Sequence, residues 1–209
     1  MNLFITGTDT GVGKTYVSAL LVKALRKSGL DAVGMKPICC GDREDAEALC
    51  AAGEGVADLN DVNPVWLRTP ASPYTASIVE ERSIDLTLVR EAFARLHARH
   101  QAVIVEGVGG WYVPITKDYF VSHLAAEFAL PVAIVVGNRL GAINHALLTI
   151  EAVRSSGVSC AGLIYNEVAA GPDEQVATAT NRSIIETLVD LPVLFEVARH
   201  QQELRLGIA

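Results

Sequence analysis

The segment GTDTGVGKT, residues 7–15, determines the fold class that we predict for this chain. An apolar run over residues 2–6 precedes it, and a stretch with one apolar face follows it over residues 14–28. A strand, a glycine-rich turn and a helix in this order place backbone N–H groups around phosphate oxygens. Lys14 would neutralise those oxygens, and the Thr15 hydroxyl would reach a Mg²⁺ ion. The segment therefore predicts a nucleoside triphosphate site, with ATP and Mg²⁺ as the expected ligands.

The spacing of this segment differs by one residue from the common phosphate-binding pattern. Five residues separate Gly7 from Gly13, whereas the common pattern has four residues between these glycines. A glycine-rich turn that only caps an ordinary helix is the alternative interpretation. The apolar run before the turn and the amphipathic stretch after it favour phosphate binding.

Short apolar runs alternate with longer amphipathic stretches along the rest of the chain. This alternation is typical of βαβ units. The run AVIVEG from residue 102 is apolar up to Glu106, as in a strand that is buried on both faces of a parallel sheet. We therefore predict an α/β fold of the P-loop type. It would form one domain over residues 1–209, with a mostly parallel central sheet and helices on both faces.

The boundaries of the predicted elements follow from these runs and from the positions of glycine and proline. The predicted strands cover residues 2–6, 32–36, 102–106, 132–136, 160–165 and 193–195. The predicted helices cover residues 14–28, 44–51, 86–99, 120–128, 142–155 and 174–188. Residues 58–74 contain several proline and asparagine residues and are predicted to form an extended loop.

The composition argues against two classes of partner. Charged residues make up 20% of the 209 residues and the net charge is −7, without a Lys/Arg-rich run, so nucleic acid is not an expected partner. The longest apolar run, residues 130–136, is much shorter than the roughly 20 residues of a membrane-spanning helix. The N-terminal MNLFITG lacks the features of a signal peptide. We therefore expect no membrane association and a cytoplasmic location.

Cysteine and histidine residues do not predict a metal site. The four cysteines, Cys39, Cys40, Cys50 and Cys160, have neither zinc-ligand spacing nor the spacing of a disulfide framework. The five histidines form no ligand pair apart from His97 and His100, which end a polar helix. We expect reduced thiols and no histidine-bound metal.

Charged residues lie at the ends of two further predicted strands, where open α/β sheets bind their ligands. Lys36 ends the second strand, and a second lysine beside Lys14 would double the positive charge on a transferring phosphoryl group. Glu106 ends a buried strand, a position from which P-loop enzymes hold Mg²⁺, although they use Asp more often. Lys36 could alternatively be a solvated lysine at a strand end. Asp45, which follows within ten residues, could be a metal ligand, or it could be an acid in the first turn of a helix that complements the helix dipole.

Five segments together resemble the dethiobiotin synthetase family, whose members close a ureido ring in biotin synthesis. They are TGTDTGVGKT at residues 6–15, MKPICCG at 35–41 with DAE at 45–47, SPY at 72–74, VEGVGGWYVP at 105–114 and NRLGAINHALLT at 138–149. They occur in order over about the first three quarters of the chain. The phosphate-binding loop of this family also carries the extra residue, so the unusual spacing supports the resemblance.

The resemblance implies a particular reaction and a catalytic set. Similar enzymes join CO2 to one amine of 7,8-diaminononanoate as a carbamate, phosphorylate the carbamate with ATP, and close the ring with the second amine. By the match, Lys14 and Lys36 would stabilise charge on the phosphate and carbamate oxygens, and Thr10 would face the carbamate and the diamine. Mg²⁺ would be held by Thr15, Asp45 and Glu106.

The resemblance also implies contacts to each ligand. The loop residues that would bind the nucleotide are Thr10, Gly11, Val12, Gly13, Lys14, Thr15 and Tyr16. Asn166 would bind the adenine base, and Pro192 and the segment beyond it would line the purine. The substrate would contact Thr10, Lys36, Cys40, Gly109 and Gly110. Many family members have Ser where this chain has Cys40, which puts one hydroxyl contact in doubt, and His is common where this chain has Tyr74, so Tyr74 is not assigned a proton transfer.

The predicted helix start at Gly141, Ala142, Ile143 and Asn144 could receive a carboxylate on its free N–H groups without any charged side chain. In similar enzymes this helix start binds the substrate carboxylate of the neighbouring subunit. The resemblance therefore implies a homodimer with shared active sites. From the residues alone, a helix cap packed at a sheet edge is the alternative.

Other members of the same fold class are the alternatives to a synthetase. A P-loop dimerisation switch of the partition or septum-site type would have an additional lysine early in the loop, whereas this chain has Thr8, Asp9 and Thr10 there. An amide-forming synthetase of the cobyrinate type would need a glutaminase domain, for which 209 residues leave no room. A plain nucleotide-binding scaffold would gain nothing from the second lysine and the two carboxylates.

Overall fold

The computed structural model describes residues 1–169 and 171–206. Its strands are β1 (Leu3–Gly7), β2 (Ala32–Met35), β3 (Ile38–Cys40), β4 (Val65–Leu67), β5 (Ala102–Glu106), β6 (Pro114–Thr116), β7 (Tyr119–Phe120), β8 (Val132–Gly137), β9 (Cys160–Asn166) and β10 (Val193–Val197). Its helices are α1 (Lys14–Lys27), α2 (Glu44–Ala52), α3 (Leu59–Val62), α4 (Pro73–Val79), α5 (Leu86–Arg99), α6 (Val121–Phe128), α7 (Ala142–Ser155) and α8 (Gln175–Leu188), with a 3₁₀ turn at Pro172–Glu174.

In these ranges, six strands form one sheet in the order β10-β9-β8-β1-β5-β2, and every pairing within it is parallel. The sheet is apolar on both faces because neighbouring residues of a strand point to opposite sides. Phe4 packs into the cluster formed with α5, α6, α7 and α8, whereas Leu3 and Ile5 pack into the cluster formed with α1. The predicted α/β fold with helices on both faces is confirmed.

Helix α1 lies against the sheet through the apolar stripe that its sequence predicts. Its buried side chains include Val17, Leu20, Leu21, Ala24 and Leu25, which recur at helical spacing. The helix ends before Gly29, which has a φ of +91° that a residue with a side chain adopts only with strain. The loop before α1 is therefore anchored by a helix that is itself fixed on the sheet.

The region predicted as an extended loop over residues 58–74 is instead largely structured. It contains α3, strand β4, which pairs with β3, and the beginning of α4. The Asp58 side chain accepts a hydrogen bond from the backbone N–H of Asn60, and the Ser72 hydroxyl accepts one from Thr75 N–H, so both helices start at capping residues. The elements are only three to seven residues long, too short to produce a visible hydrophobic period.

Several boundaries differ from prediction by one or two residues. Strand β2 ends at Met35, because the Lys36 N–H donates to Val62 O of α3 rather than to β5. Helix α8 starts at Gln175 after the 3₁₀ turn, and β10 extends to Val197. The β3–β4 pair and the β6–β7 hairpin were not predicted. No helix in residues 1–169 or 171–206 combines the length and apolar character that a membrane span needs.

The strand order brings distant parts of the sequence to one edge of the sheet. Strand β1 lies between β5 and β8, and the chain returns from α1 to β2 on the far side of β5. Because the strands are parallel, their carboxyl ends share one edge, and ligands of such sheets bind where the strand order reverses. This edge carries the loop after β1, Lys36 after β2 and Glu106 at the end of β5.

Candidate active site

Hydrogen bonds to strands β8 and β9 hold the loop between β1 and α1. Thr8 N–H donates to Val135 O at 3.0 Å, and the Asn166 side-chain amide donates to Val12 O at 2.9 Å. The Lys14 ammonium bends back and donates to Asp9 O at 3.0 Å. Gly13 precedes α1 with no side chain capping the helix, so the first N–H groups of α1 are available to an anion.

Gly13 is required by its surroundings as well as by its backbone angle. Its φ is +85°, and a Cβ at this position would lie 2.1 Å from Nδ2 of Asn166. The amide that supports the loop therefore occupies the space that a side chain would need. This close approach explains physically why the residue before Lys14 is glycine.

Two carboxylates, a lysine and a hydroxyl meet beside the loop. Nζ of Lys36 lies 2.5 Å from Oε1 of Glu106 and 2.7 Å from Oδ2 of Asp45. Oγ1 of Thr15 lies 2.7 Å from Oδ1 of Asp45 and 2.8 Å from Oε1 of Glu106. The structure thus brings together residues from β2, α2, β5 and α1 that the sequence predicts as one site.

The two lysines of the site differ in their pKa. Burial, and after it the positive charge of Lys36, lowers the pKa of Lys14 to about 8 against the attraction of nearby carboxylates. Burial also acts to lower the pKa of Lys36, but the adjoining Glu106 and Asp45 carboxylates outweigh it and raise that pKa. Burial opposes ionisation of Asp45, whereas the Lys36 charge lowers its pKa. Lys36 and Asp45 are therefore both charged at neutral pH.

The oxygen atoms of this cluster fit a magnesium ion. Mg²⁺ prefers oxygen ligands and binds to proteins through one or two carboxylates together with substrate phosphates and water. Glu106 is 0% exposed, and its Oε2 has no hydrogen-bond partner among the residues that the structure describes. In that part of the chain no three His, Cys, Asp or Glu residues form a self-sufficient metal site. A cation shared with the phosphates matches this donor set.

A cavity of about 810 Å³ opens beside the cluster and is large enough for a nucleotide tail and a small substrate. Eleven predicted site residues line it: Thr10, Gly11, Gly13, Lys14, Thr15, Tyr16, Lys36, Cys40, Asp45, Glu106 and Gly109. Burial raises the pKa of the Cys40 thiol to about 11, so this thiol is neutral at pH 7.

Several lining residues were not predicted. They are Cys39, Asp42, Pro70, Ala71, Ser72, Val108 and Val113. Ser72, the helix cap of α4, belongs to the SPY segment that supports the family resemblance, and residues 70–72 precede α4 in the region predicted as a loop. Asp42 follows the strand β3 that sequence periodicity could not show. Because residues 58–74 were predicted to form an extended loop, the part of the cavity wall formed by residues 70–72 was not predicted.

Pro192 does not lie at the nucleotide site, contrary to prediction. It precedes β10, and its carbonyl accepts a hydrogen bond from Leu163 N–H near the start of the β9–β10 pairing. Asn166 pairs with Val197 at the other end of the same parallel pair. Pro192 therefore lies toward the amino edge of the sheet, away from the phosphate-binding loop.

The segment after β10, rather than Pro192 itself, returns to α1. The hydroxyl of Tyr16, in the first turn of α1, donates to the backbone carbonyl of Gln201. Glu203 pairs with Lys27 at the other end of α1, and Leu204 is buried in the cluster between α1 and the sheet. Of the stretch predicted to line the purine, Gln201 therefore contacts the first turn of α1.

Asn166 is buried beneath the loop, and its amide already has one partner. Its Nδ2 donates to Val12 O, while its Oδ1 has no partner in the described ranges. An adenine amino group could be accepted only by Oδ1. Base binding by Asn166 remains a prediction. What the structure shows is that the Asn166 side chain supports the loop through its hydrogen bond to Val12 O.

The predicted substrate residues Gly110 and Gly141–Asn144 lie outside the cavity lining of the described chain. Gly110 lies close to the end of β1, since a Cβ there would be 3.7 Å from Gly7 O. Gly141 has a φ of +87° and starts α7 without a side-chain cap. Arg139, two residues earlier, forms an ion pair with Asp9 at 2.7 Å. The start of α7 is thus tied to the phosphate-binding loop.

Comparison with known proteins identifies the family. A family model described as an AAA domain matches residues 1–202. The "ATP-dependent dethiobiotin synthetase BioD" of Akkermansia muciniphila is 47% identical over 99% of this chain and 96% of that protein. The protein of the same name from Anaeromyxobacter dehalogenans is 42% identical over 97% of this chain and 94% of its own length.

This chain belongs to the ATP-dependent dethiobiotin synthetase family.

Solved structures show that the dethiobiotin synthetase shares its fold with other P-loop proteins. The signal recognition particle receptor FtsY of Elizabethkingia anophelis in complex with GDP matches 99% of this chain and 60% of its own, with a TM-score of 0.58 and 15% identity. The cell division protein MinD of Aquifex aeolicus matches 96% of this chain and 83% of its own, with a TM-score of 0.54 and 19% identity. These likenesses concern the fold alone.

Proposed function

We propose that this synthetase makes dethiobiotin from 7,8-diaminononanoate, CO2 and ATP, with ADP and phosphate as the other products. The observation that carries the proposal is the meeting of two lysines, Lys14 and Lys36, at one cavity beside the phosphate-binding loop. A dimerisation switch of the partition type would carry its second lysine early in the loop, whereas the second lysine of this chain follows β2. A reaction in which an anionic carbamate attacks an anionic triphosphate has a use for both.

The reaction begins with carbamate formation. One amine attacks CO2, forming a C–N bond and releasing a proton. A carbamate oxygen then attacks the γ-phosphorus of ATP, and the bond from that phosphorus to the β,γ-bridging oxygen breaks to release ADP. The second amine attacks the carbamate carbon of the mixed anhydride and loses a proton, and phosphate departs as the ring closes.

The protein groups mainly position and neutralise in such a transfer. Lys14 lies in the loop, where its ammonium would leave Asp9 O for the phosphate oxygens. Lys36, whose ammonium remains charged, would stabilise the carbamate oxygen as it attacks. Thr10 lines the cavity beside the loop and would orient the carbamate and the diamine.

Mg²⁺ would be held by Thr15, Asp45 and Glu106. When bound, the ion supplies positive charge to the phosphate oxygens during the transfer. Lys36 now donates to both carboxylates, so its ammonium must shift toward the substrate when these oxygens serve as ligands. The Lys36 ammonium thus neutralises the buried Glu106 carboxylate and the half-exposed Asp45 carboxylate.

We also propose that the active enzyme is a homodimer whose sites are shared. The start of α7 at Gly141–Asn144 would receive the carboxylate of a substrate that is bound in the neighbouring cavity. Two observations support this assignment. These residues are absent from the cavity lining of their own described chain, and Leu140 and Leu148 beside them are 67% and 63% exposed.

Direct product detection tests the proposed reaction. The purified chain is incubated with diaminononanoate, bicarbonate, Mg²⁺ and one nucleoside triphosphate at a time, and dethiobiotin is measured by mass spectrometry. We expect dethiobiotin with ATP, and none from a Lys14→Met variant of unchanged circular dichroism. Absence of dethiobiotin with every nucleotide, from folded protein that still binds ATP, would sink the proposal.

A further inference from the structure

Two hydrogen-bonded side-chain amides, the buried Asn181 and the partly exposed Asn138, connect α8 to the segment just before α7. Asn181 of α8 is 2% exposed, and its Nδ2 donates to Oδ1 of Asn138 and to Arg139 O, both at 2.9 Å. Nδ2 of Asn138 in turn donates to Thr178 O of α8 at 2.9 Å. Residues 138 and 139 are therefore fixed to α8 by three hydrogen bonds.

The same two residues contact both halves of the phosphate-binding loop. Asn138 N–H donates to the backbone carbonyl of Asn166 at 2.9 Å, and the Asn166 side chain supports Val12. On the other half, Nη2 of Arg139 lies 2.7 Å from Oδ2 of Asp9. The amide chain thus continues from α8 into the loop.

Asp9 is hydrogen-bonded to two residues that line the cavity, Thr10 and Lys14. Its Oδ1 accepts a hydrogen bond from Thr10 N–H at 2.7 Å, and its backbone carbonyl accepts one from the Lys14 ammonium at 3.0 Å. A change in the position of Asp9 therefore moves both Thr10 and Lys14. Neither Arg139 nor Asn181 lines the cavity.

We propose that Arg139 and Asn181 are positioning residues for triphosphate binding, with Arg139 acting through Asp9 and Asn181 acting through Arg139. This inference builds on the proposed function but concerns nucleotide binding alone. A leucine in place of Asn181 would leave Oδ1 of Asn138 and Arg139 O without their donors, which explains a polar residue in the buried face of α8. The exposed Arg139–Asp9 pair adds little to global stability, so its effect is local.

A double-mutant cycle tests the action of Arg139 through Asp9. The variants are Arg139→Gln, Asp9→Asn and the double variant, and the probe is the ATP analogue AMPPNP with Mg²⁺, whose Kd is measured by titration calorimetry. We expect each single change to raise the Kd about three- to tenfold and the double change to be no worse than the larger single effect. Additive losses, or an unchanged Kd in Arg139→Gln, would overturn the proposal.

Two further variants separate positioning from a general structural role. Arg139→Lys keeps the charge and should recover most of the affinity that Arg139→Gln loses. Arg182→Gln removes an arginine from the same helix as Asn181, where it pairs with Glu186 and Glu196 on the surface, and should leave the Kd unchanged. An equal loss of affinity in Arg182→Gln would contradict a specific role for Arg139.

The role of Asn181 is tested with Asn181→Asp, which keeps the shape and places acceptors opposite two acceptors. The expected result is a raised Kd for AMPPNP in protein that still unfolds cooperatively, with no added effect in the Arg139→Gln background. An Asn181→Asp variant that binds AMPPNP normally would refute its part in the loop. Because these readouts use binding, they remain meaningful even if no dethiobiotin is formed.

Discussion

Lys14 and Lys36 share a cavity but have different tasks because their neighbours differ. Lys14 contacts a backbone carbonyl, and burial together with the nearby positive charge of Lys36 lowers its pKa to about 8. Lys36 lies between two carboxylates, and its pKa is raised. Lys14 is therefore the lysine whose charge responds to pH and to ligand, whereas Lys36 is charged throughout.

Nucleotide affinity should consequently depend on pH through Lys14. Bound phosphates favour the ammonium form, which the free protein loses as the pH rises through about 8. The Kd for ATP should rise above pH 8, and binding at pH 8.5 should take up protons, measured by calorimetry in buffers of different ionisation enthalpy. Lys14→Arg, which stays charged, should abolish the proton uptake. If Lys14→Arg took up as many protons as the unchanged protein, the uptake would belong to a group other than Lys14.

Removal of the Lys36 charge should destabilise the fold as well as abolish turnover. Glu106 is fully buried, and Lys36→Met would leave its carboxylate without a counter-charge. Breaking such a buried pair costs about 3–5 kcal/mol of the free energy of unfolding. Urea unfolding at pH 7 measures this loss. The double variant Lys36→Met/Glu106→Gln should regain most of the stability but no activity, and an equally unstable double variant would contradict this cause.

At the scale of elements, the sequence predicts best where a segment is long or buried on both faces. Strand β5 and helix α5 were predicted with the observed bounds, because a continuous apolar run and a clear helical period have few competing interpretations. The elements α3 and β4 escaped prediction because four and three residues carry no measurable period. The capping residues Asp58 of α3 and Ser72 of α4 were the available signal in this region.

The candidate site shows the same division between local and long-range information. Lys14 and Thr15 follow from a local motif, and Lys36 and Glu106 follow from the rule that parallel strands share a ligand-binding edge. Pro192 precedes its strand in the prediction as in the structure, so the same rule already places it at the opposite edge of the sheet. The contact between Tyr16 and Gln201 joins residues far apart in sequence and has no local signal.

Gly162 offers a test of the β9–β10 edge. Its φ is +144°, and a Cβ there would lie 2.4 Å from Pro192 O. Gly162→Ala should therefore displace the start of β10 and lower the free energy of unfolding by about 2 kcal/mol. Gly157→Ala is the matched control, because Gly157 also has a positive φ but open space around its Cβ position. An equal loss of unfolding free energy in the two variants would show that the positive φ, and not the contact with Pro192 O, causes the destabilisation.

At the scale of the whole molecule, one parallel sheet brings residues that are far apart in the sequence close together in space. Thr15 and Glu106 are 91 positions apart, yet their oxygens are 2.8 Å apart, because β1 and β5 are neighbouring strands. The same principle does not bring the start of α7 into the cavity of its own chain. This is why we propose that the helix start serves the site of a second copy.

Subunit complementation tests this shared site. Lys14→Met disables the loop of one subunit, and Gly141→Asp places a carboxylate where a substrate carboxylate would bind, with a residue that tolerates a positive φ. Each homodimer should be inactive. A heterodimer purified through two different tags has one site with both changes and one with neither, so it should recover about half of the wild-type activity. An inactive heterodimer of folded subunits would show that each site is built within one chain.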